Sequence, residues 1–291
     1  MIQHATISDM RRWREEQRHA GRRVGFVPTM GHLHEGHLSL VDRSRDLADA
    51  TVLSVFVNPT QFGPGEDFDR YPRDLERDRG LAERRGVDCL FVPSVSEMYP
   101  RAASVALDPG SLGAHLCGPL RPGHFAGVML VVLKLLHIVE PDIAVFGRKD
   151  AQQAIILGRM VDDLNLEVQL DVAPTVRESD GLALSSRNAY LTPDERRAAA
   201  AIPRALDAGH RAYREGATEP ETVVAAVRRE LENEQLMRVE YIDAVDPETL
   251  APARRVQDRT VLVLAARVGA TRLIDNVVLG EGTASDVFLD G

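Results

Sequence analysis

The strongest constraint on this chain is a rhythm. Through its first half, short apolar runs alternate with longer amphipathic stretches. VGFVP at 24–28, TVLSVFV at 51–57 and VDCLFVP at 87–93 have the length and β-branched character of strands, as do residues 143–146 and 167–170. Residues 36–48, 74–85, 127–139 and 151–164 lie between them and read as helices. Strands that are apolar almost throughout, rather than at alternate positions, belong to a sheet covered on both faces. The pattern therefore predicts an α/β fold, a parallel sheet flanked by helices on both faces. Ligands of such sheets gather at the carboxyl ends of the strands.

The texture changes after about residue 174. Thr192-Pro193-Asp194-Glu195 is a helix start: a hydroxyl cap, proline in the first turn, then acids. One helix is expected from there to about residue 214 and another from 219 to about 234. Strand-like runs follow at 239–245, 260–264 and 271–278. The expected organisation is one α/β domain over residues 1–174 and a smaller α+β domain over 175–291.

Composition excludes several classes. The chain has 291 residues, with 35 Lys and Arg against 44 Asp and Glu, a formal charge of −9. An acidic total argues against a nucleic-acid partner, because neutralising a phosphate backbone needs clustered cations. The two cysteines, Cys89 and Cys117, form no CxxC pair and support neither a disulfide framework nor a structural zinc site. The start, MIQHATISDMRRW, has no apolar signal core. The most apolar run, 128–139, is interrupted by Lys134 and is too short to span a bilayer. A cytoplasmic protein without a membrane partner is expected.

The chemistry-bearing residues cluster where strands give way to helices. PTMGHLHEGH at 28–37 sets His34 and His37 three residues apart at a strand-to-helix turn, with Gly31 and Gly36 permitting close backbone approach. A helix N-terminus suits phosphate, and two imidazoles there can stabilise charge developing on it. Zinc is the competing ligand for such a pair, but no further Cys or His lies close in sequence. Asn58 and Gln61 in VNPTQFG suit hydroxyl or carboxylate recognition, or simply turn formation. YPR at 71–73 precedes an acidic helix whose default reading is a solvated face. The stretch from 99 to 123, ending in RPGHF, is a long connection suited to closing over a site. FGRKDAQQ at 146–153 sets Lys149 at another strand end, and LALSSRN at 182–188 sets two hydroxyls and a guanidinium at the domain junction. GxxxxGK[ST], GxGxxG and GxSxG are all missing from the sequence, so P-loop, dinucleotide and hydrolase readings lose support.

Taken together, PTMGxLHEGHLSLV, SVFVNPTQF, YPR, RPGHFAGV, VFGRKDAQQ and LALSSRN, in this order, resemble the pantoate–β-alanine ligase family of the nucleotidyltransferase superfamily. The likeness covers nearly the whole chain and implies that residues 1–174 form a Rossmann-like nucleotide- and pantoate-binding domain and that the smaller domain over 175–291 covers its site. It implies ligation of (R)-pantoate and β-alanine to pantothenate through a pantoyl adenylate, with ATP split to AMP and pyrophosphate. It also implies a homodimer, Mg²⁺ accompanying ATP as substrate, and no tightly bound organic cofactor. Another adenylyl-transferring enzyme of the superfamily, or a non-catalytic ATP-binding module, are the alternatives.

By resemblance, Met30, Gly31, His32, Leu33, His34, Glu35, Gly36 and His37 contact ATP, with His37 as proton donor. Gly147, Arg148, Lys149 and Asp150 form a second nucleotide stretch, with Lys149 on phosphate and Asp150 on the ribose. Val176, Leu184, Ser185, Ser186 and Arg187 complete the ATP contacts. His34, His37, Lys149 and Arg187 form the implied catalytic set. Gln61 and Gln153 hold pantoate and β-alanine with Asn58 beside them, and Asp78 is the expected magnesium carboxylate. The chain departs from the family pattern at His32, Arg148 and Leu184, where Ala, Glu and Met are frequent.

Overall fold

The protein is described by a computed structural model over residues 1–289. It divides into two units, one formed by Met1–Gly147 with Ile156–Ala173, the other by Arg148–Ile155 with the chain from Pro174 onward. Sequence reasoning places residues 148–155 in the first domain. They group with the second because its side chains, Asn276 and Glu281 among them, hold that segment.

The first unit is built from β1 (Ile2–His4), α1 (Ile7–His19), β2 (Val24–Thr29), α2 (Glu35–Leu47), β3 (Ala50–Val55), α3 (Leu75–Arg84), β4 (Cys89–Phe91), α4 (Val95–Met98), α5 (Cys117–Leu120), α6 (His124–Val139), β5 (Ile143–Gly147) and β6 (Gln169–Ala173). α7 (Ala151–Asp163) begins within the 148–155 segment. All six strands are parallel, in the order β1-β4-β3-β2-β5-β6. From β2 the chain winds outward through β3 and β4, then returns to the other side of β2 for β5 and β6. The reversal lies between β2 and β5, and a doubly wound sheet binds ligands outside the carboxyl ends of its strands at that point.

Apolar burial explains the layers. Val27, Leu53, Leu90, Ile143 and Val145 of the sheet pack with Leu38 and Val41 of α2 and Ala82 of α3. α6 is buried on most sides, through Phe125, Val128, Val131, Leu135 and Val139 among others, and touches α1. The sequence does not announce β1 or α1. β1 is three residues long, and α1 is so polar that only Met10 and Trp13 supply buried apolar groups.

The second unit contains β7 (Val176–Arg177), α8 (Pro193–Ala199), α9 (Ala201–Arg214), α10 (Pro220–Leu231), β8 (Met237–Val245), β9 (Val261–Val268), β10 (Thr271–Val278) and β11 (Val287–Phe288). β10-β9-β8 is an antiparallel sheet, and β11 pairs in parallel with β7. Ile202, Ala205 and Leu206 of α9 and Val223, Val227 and Leu231 of α10 share one core with Leu262 and Leu264 of β9. The single helix expected up to residue 214 is broken at Ala200. Pro203 is the cause: it has no N–H to give, and its ring crowds the carbonyl of Ala199. Among the described residues no helix is long and apolar enough to cross a membrane.

Candidate active site

β2 runs into α2 through a loop that the rest of the unit holds rigidly. Gly31 has φ +84°, and a Cβ there would lie 2.9 Å from both Asp78 Oδ2 and Val55 Cγ1, so only glycine fits. The N–H of Gly31 reaches Thr29 Oγ1 at 3.1 Å, and that hydroxyl donates to Ser54 O at 2.7 Å. His32 follows at φ +52°, a conformation disfavoured for a residue with a Cβ. Asp78 holds it there. Its Oδ2 accepts from His32 N and its Oδ1 from Leu33 N, both at 2.7 Å. Arg77 Nη1 ties down Leu33 O at 2.9 Å, and the Leu33 side chain is fully buried.

Asp78, the expected magnesium carboxylate, is bound tightly to the loop it faces. Its side chain is 1% exposed, with a backbone N–H on each oxygen. No group of three or more His, Cys, Asp or Glu side chains among the described residues is arranged to hold a metal ion. Asp78 is a backbone clamp. Asp78→Asn keeps the shape but turns an amide N–H₂ toward a backbone N–H, leaving donors unpaired. The expected cost is about 1–3 kcal/mol of stability, read by thermal unfolding; an unchanged midpoint would refute the clamp.

Past the clamp, His34 is the N-cap of α2, and its side chain makes no capping hydrogen bond. Its carbonyl accepts from His37 N at 2.8 Å and Leu38 N at 3.1 Å. The two rings stack with centroids 4.1 Å apart at 36°. Two imidazoles thus stand together on the first turn of a 13-residue helix, whose N-terminal N–H groups carry partial positive charge. Met30 precedes them and Glu35 lies between them in the same segment.

A second polar cluster follows β3. Asn58 caps the short turn Pro59–Gln61. Its Oδ1 accepts from Tyr99 OH at 2.9 Å and Thr60 Oγ1 at 3.0 Å; its Nδ2 donates to Gln61 Oε1 at 3.1 Å and Gly127 O at 3.2 Å. Asn58 is buried, and both polar atoms of its side chain are engaged by protein. Its bond to Gln61 Oε1 orients that side chain. Gln61 Nε2 lies 3.0 Å from Met30 Sδ, which brings Gln61 beside the β2–α2 loop. α6 can lie against this turn because Gly127 has no Cβ; one would fall 2.1 Å from Thr60 O.

RPGHF at 121–125 supports Gln61 from the other side. Arg121 Nη1 donates to His124 Nε2 at 2.8 Å, and His124 Nδ1 lies 2.8 Å from Gln61 O. A guanidinium only donates and a carbonyl only accepts, so His124 must be neutral with its proton on Nδ1. Arg121 also grips Glu66 at 2.7 and 2.5 Å. Burial works to raise the Glu66 carboxyl, but the paired guanidinium overcomes it and holds the group below the usual carboxylate range. The result is a relay, Glu66–Arg121–His124, that fixes the backbone of Gln61.

The remaining candidates belong to the second unit. Arg148 Nη1 donates to Glu281 Oε2 at 2.7 Å and Ser285 Oγ at 2.8 Å, so the cation that departs from the family pattern is paired internally. Lys149 Nζ is 4.0 Å from Asp150 Oδ1. Gln153 is half-buried near the start of α7, next to buried Gln152. Leu184 N bonds Val176 O at 2.9 Å, which closes the loop carrying Ser185, Ser186 and Arg187. Ser185 caps the turn Ser186–Tyr190 through Arg187 N. Within the first unit His34 pairs with His37, and Asn58 with Gln61, which lies beside Met30; Lys149, Asp150, Gln153 and Arg187 are carried by the second unit.

A doubly wound parallel sheet with a donor-rich helix start after its central strand defines a nucleotide-binding α/β enzyme. Residues 3–278 match the family model described as pantoate-β-alanine ligase. The pantothenate synthetase of Thermotoga petrophila is 50% identical over 275 residues, spanning 94% of this chain and 98% of the relative. That of Brucella canis is 52% identical over 277 residues, 95% and 94% of the two chains. Among solved structures, pantothenate synthetase from Thermus thermophilus superposes with a TM-score of 0.91 at 45% identity, covering 96% of this chain and 99% of that one. Pantoate-β-alanine ligase from Francisella tularensis, solved with β-γ ATP and β-alanine, gives a TM-score of 0.79 at 32% identity over 97% and 99%. This chain belongs to the pantoate–β-alanine ligase family.

Proposed function

We propose that this chain joins (R)-pantoate to β-alanine at the expense of ATP. A pantoate carboxylate oxygen attacks the α-phosphorus, pyrophosphate leaves, and pantoyl adenylate forms. The β-alanine amine then attacks the acyl carbon, loses a proton, and expels AMP, leaving pantothenate. ATP brings its magnesium as part of the substrate; no step is assigned to a resident ion.

The observation that carries this reading is the stacked His34–His37 pair on the first turn of α2, held behind by the Asp78 clamp. A carboxylate and a triphosphate repel, so the barrier to their meeting is largely electrostatic. Preorganised N–H donors lower it most, because they need not reorient as charge develops. In this reading His37 donates to the departing phosphate oxygens and His34 shares those contacts. The Met30–Gly36 backbone lies along the nucleotide. Lys149 and Arg187 supply cationic charge for the phosphates and Asp150 meets the ribose. Gly147, Arg148, Val176, Leu184, Ser185 and Ser186 frame the nucleotide. Gln61 and Gln153 hold the polar groups of pantoate. A homodimer and a cytoplasmic location complete the reading and rest on the family resemblance alone.

Pyrophosphate–ATP exchange tests it. Exchange that requires (R)-pantoate is expected; exchange that requires an amino acid instead, or none at all, would overturn the proposal. Gln61→Ala should raise the KM for pantoate about tenfold, the loss of one or two good hydrogen bonds, and leave the KM for ATP within about twofold. Equal changes in both would remove Gln61 from the pantoate site.

A further inference from the structure

The second unit contains a buried polar frame to which none of the roles above is assigned. Arg177 lies on β7 with its side chain 1% exposed. Its Nη1 and Nη2 grip Asp275 on β10 at 2.6 and 3.1 Å, and its Nε donates to Asp286 Oδ2 at 2.6 Å. The same guanidinium donates to Gly181 O at 3.0 Å and lies 3.4 Å from Asn276 O. Asp275 Oδ1 in turn accepts from Asn276 N at 2.8 Å. The ion pair therefore fixes the backbone of Asn276 on both sides.

Asn276 is itself buried. Its Nδ2 donates to Arg148 O at 3.0 Å and Lys149 O at 2.9 Å. Two successive carbonyls pointing at one amide define the orientation of the peptide between them. That peptide belongs to the Arg148–Asp150 turn from which the Lys149 side chain departs. A lysine is a flexible point charge whose placement depends on its anchor. Two hydrogen bonds at the anchor are what a loop at the end of a strand needs to present that charge reproducibly.

We propose that Asn276 is a positioning residue for Lys149, and that the Arg177–Asp275 ion pair holds Asn276 in register. The proposal rests on the reading that Lys149 binds ATP phosphate. Asn276 touches no substrate; it acts through the backbone of the Arg148–Asp150 turn.

The test uses the full chain and pantoate-dependent pyrophosphate–ATP exchange. Asn276→Asp is nearly isosteric but replaces both donors with acceptors facing two carbonyls. Asn276→Ser is neutral and too short to reach them. Each is expected to raise the KM for ATP at least tenfold while leaving the KM for pantoate within twofold. In a Lys149→Ala background the same changes should add less than a further twofold, because the residue they position is gone. A merely structural role predicts the opposite: both KM values move together, or the losses multiply in the double variant. Either result overturns the proposal, as does an unchanged KM for ATP in folded Asn276→Ser. If Lys149→Ala alone leaves the KM for ATP unchanged, the Lys149 assignment falls and this proposal with it. If Lys149→Ala raises that KM and the Asn276 variants do not, only the positioning role falls.

Discussion

His37→Ala is expected to slow pantoate-dependent pyrophosphate–ATP exchange by about 10²–10³-fold, the range for losing a positioned proton donor or one preorganised donor to a developing oxyanion. The variant should fold normally. α2 is capped through the backbone, with His34 O accepting from His37 N and Leu38 N, and neither bond involves the imidazole of residue 37. The loop before it is held by Thr29, Arg77 and Asp78, none of which changes. Chemistry and stability are thus separable at this position, as they are not at Asp78. The melting midpoint should move little while the rate collapses. His37→Gln, which restores an N–H donor without a titratable ring, should recover part of the loss. A rate within about twofold of the parent in His37→Ala would remove His37 from the reaction.

The parts of the fold that could be read in advance are those whose signal is local. Strands such as 51–57 announce themselves by apolar run length, and the helix expected over 36–48, observed from Glu35, by its apolar Leu38, Leu40, Val41 and Leu47. What could not be read are side chains whose meaning is set far along the chain. Asp78 sits on a helix so charged that a solvated face is the natural reading, and its partners are about 45 residues away. Arg177, inside VRESDGLALSSRN, looks like one more surface cation until Asp275 and Asp286 are brought to it, about 100 residues downstream. Asn58 differs again. Next to proline in a turn, it has the right chemistry for a ligand, and only the approach of Gly127 and Tyr99 shows that its groups are used internally. In each case composition suggested polarity, and tertiary contact decided whether that polarity faces protein or substrate.

Arg177→Met should destabilise the second unit by about 3–5 kcal/mol, the cost of stranding buried charge. Asp275 and Asp286 are 1% and 4% exposed at their side chains, so removing the guanidinium leaves two carboxylates facing each other out of water. For a chain this size the melting midpoint should fall by on the order of 10 °C. The charge count makes the origin testable. One cation between two anions leaves the parent cluster at −1. Burial, with Asp275 beside it, outweighs the pull of Arg177 and holds the Asp286 carboxyl above its usual value. An acid whose folded value is raised binds its proton more tightly in the folded state. Its contribution to stability therefore grows as pH falls through the folded value, and is complete below the unfolded one. Asp286→Asn should abolish that increment while costing little at neutral pH, because the amide oxygen can still accept from Arg177 Nε. Adding Asp275→Asn and Asp286→Asn to Arg177→Met should recover most of the lost stability, since the damage is electrostatic rather than a matter of volume. If Arg177→Met costs less than about 1 kcal/mol, or the two asparagines fail to rescue it, the cluster is packing and not a charge frame.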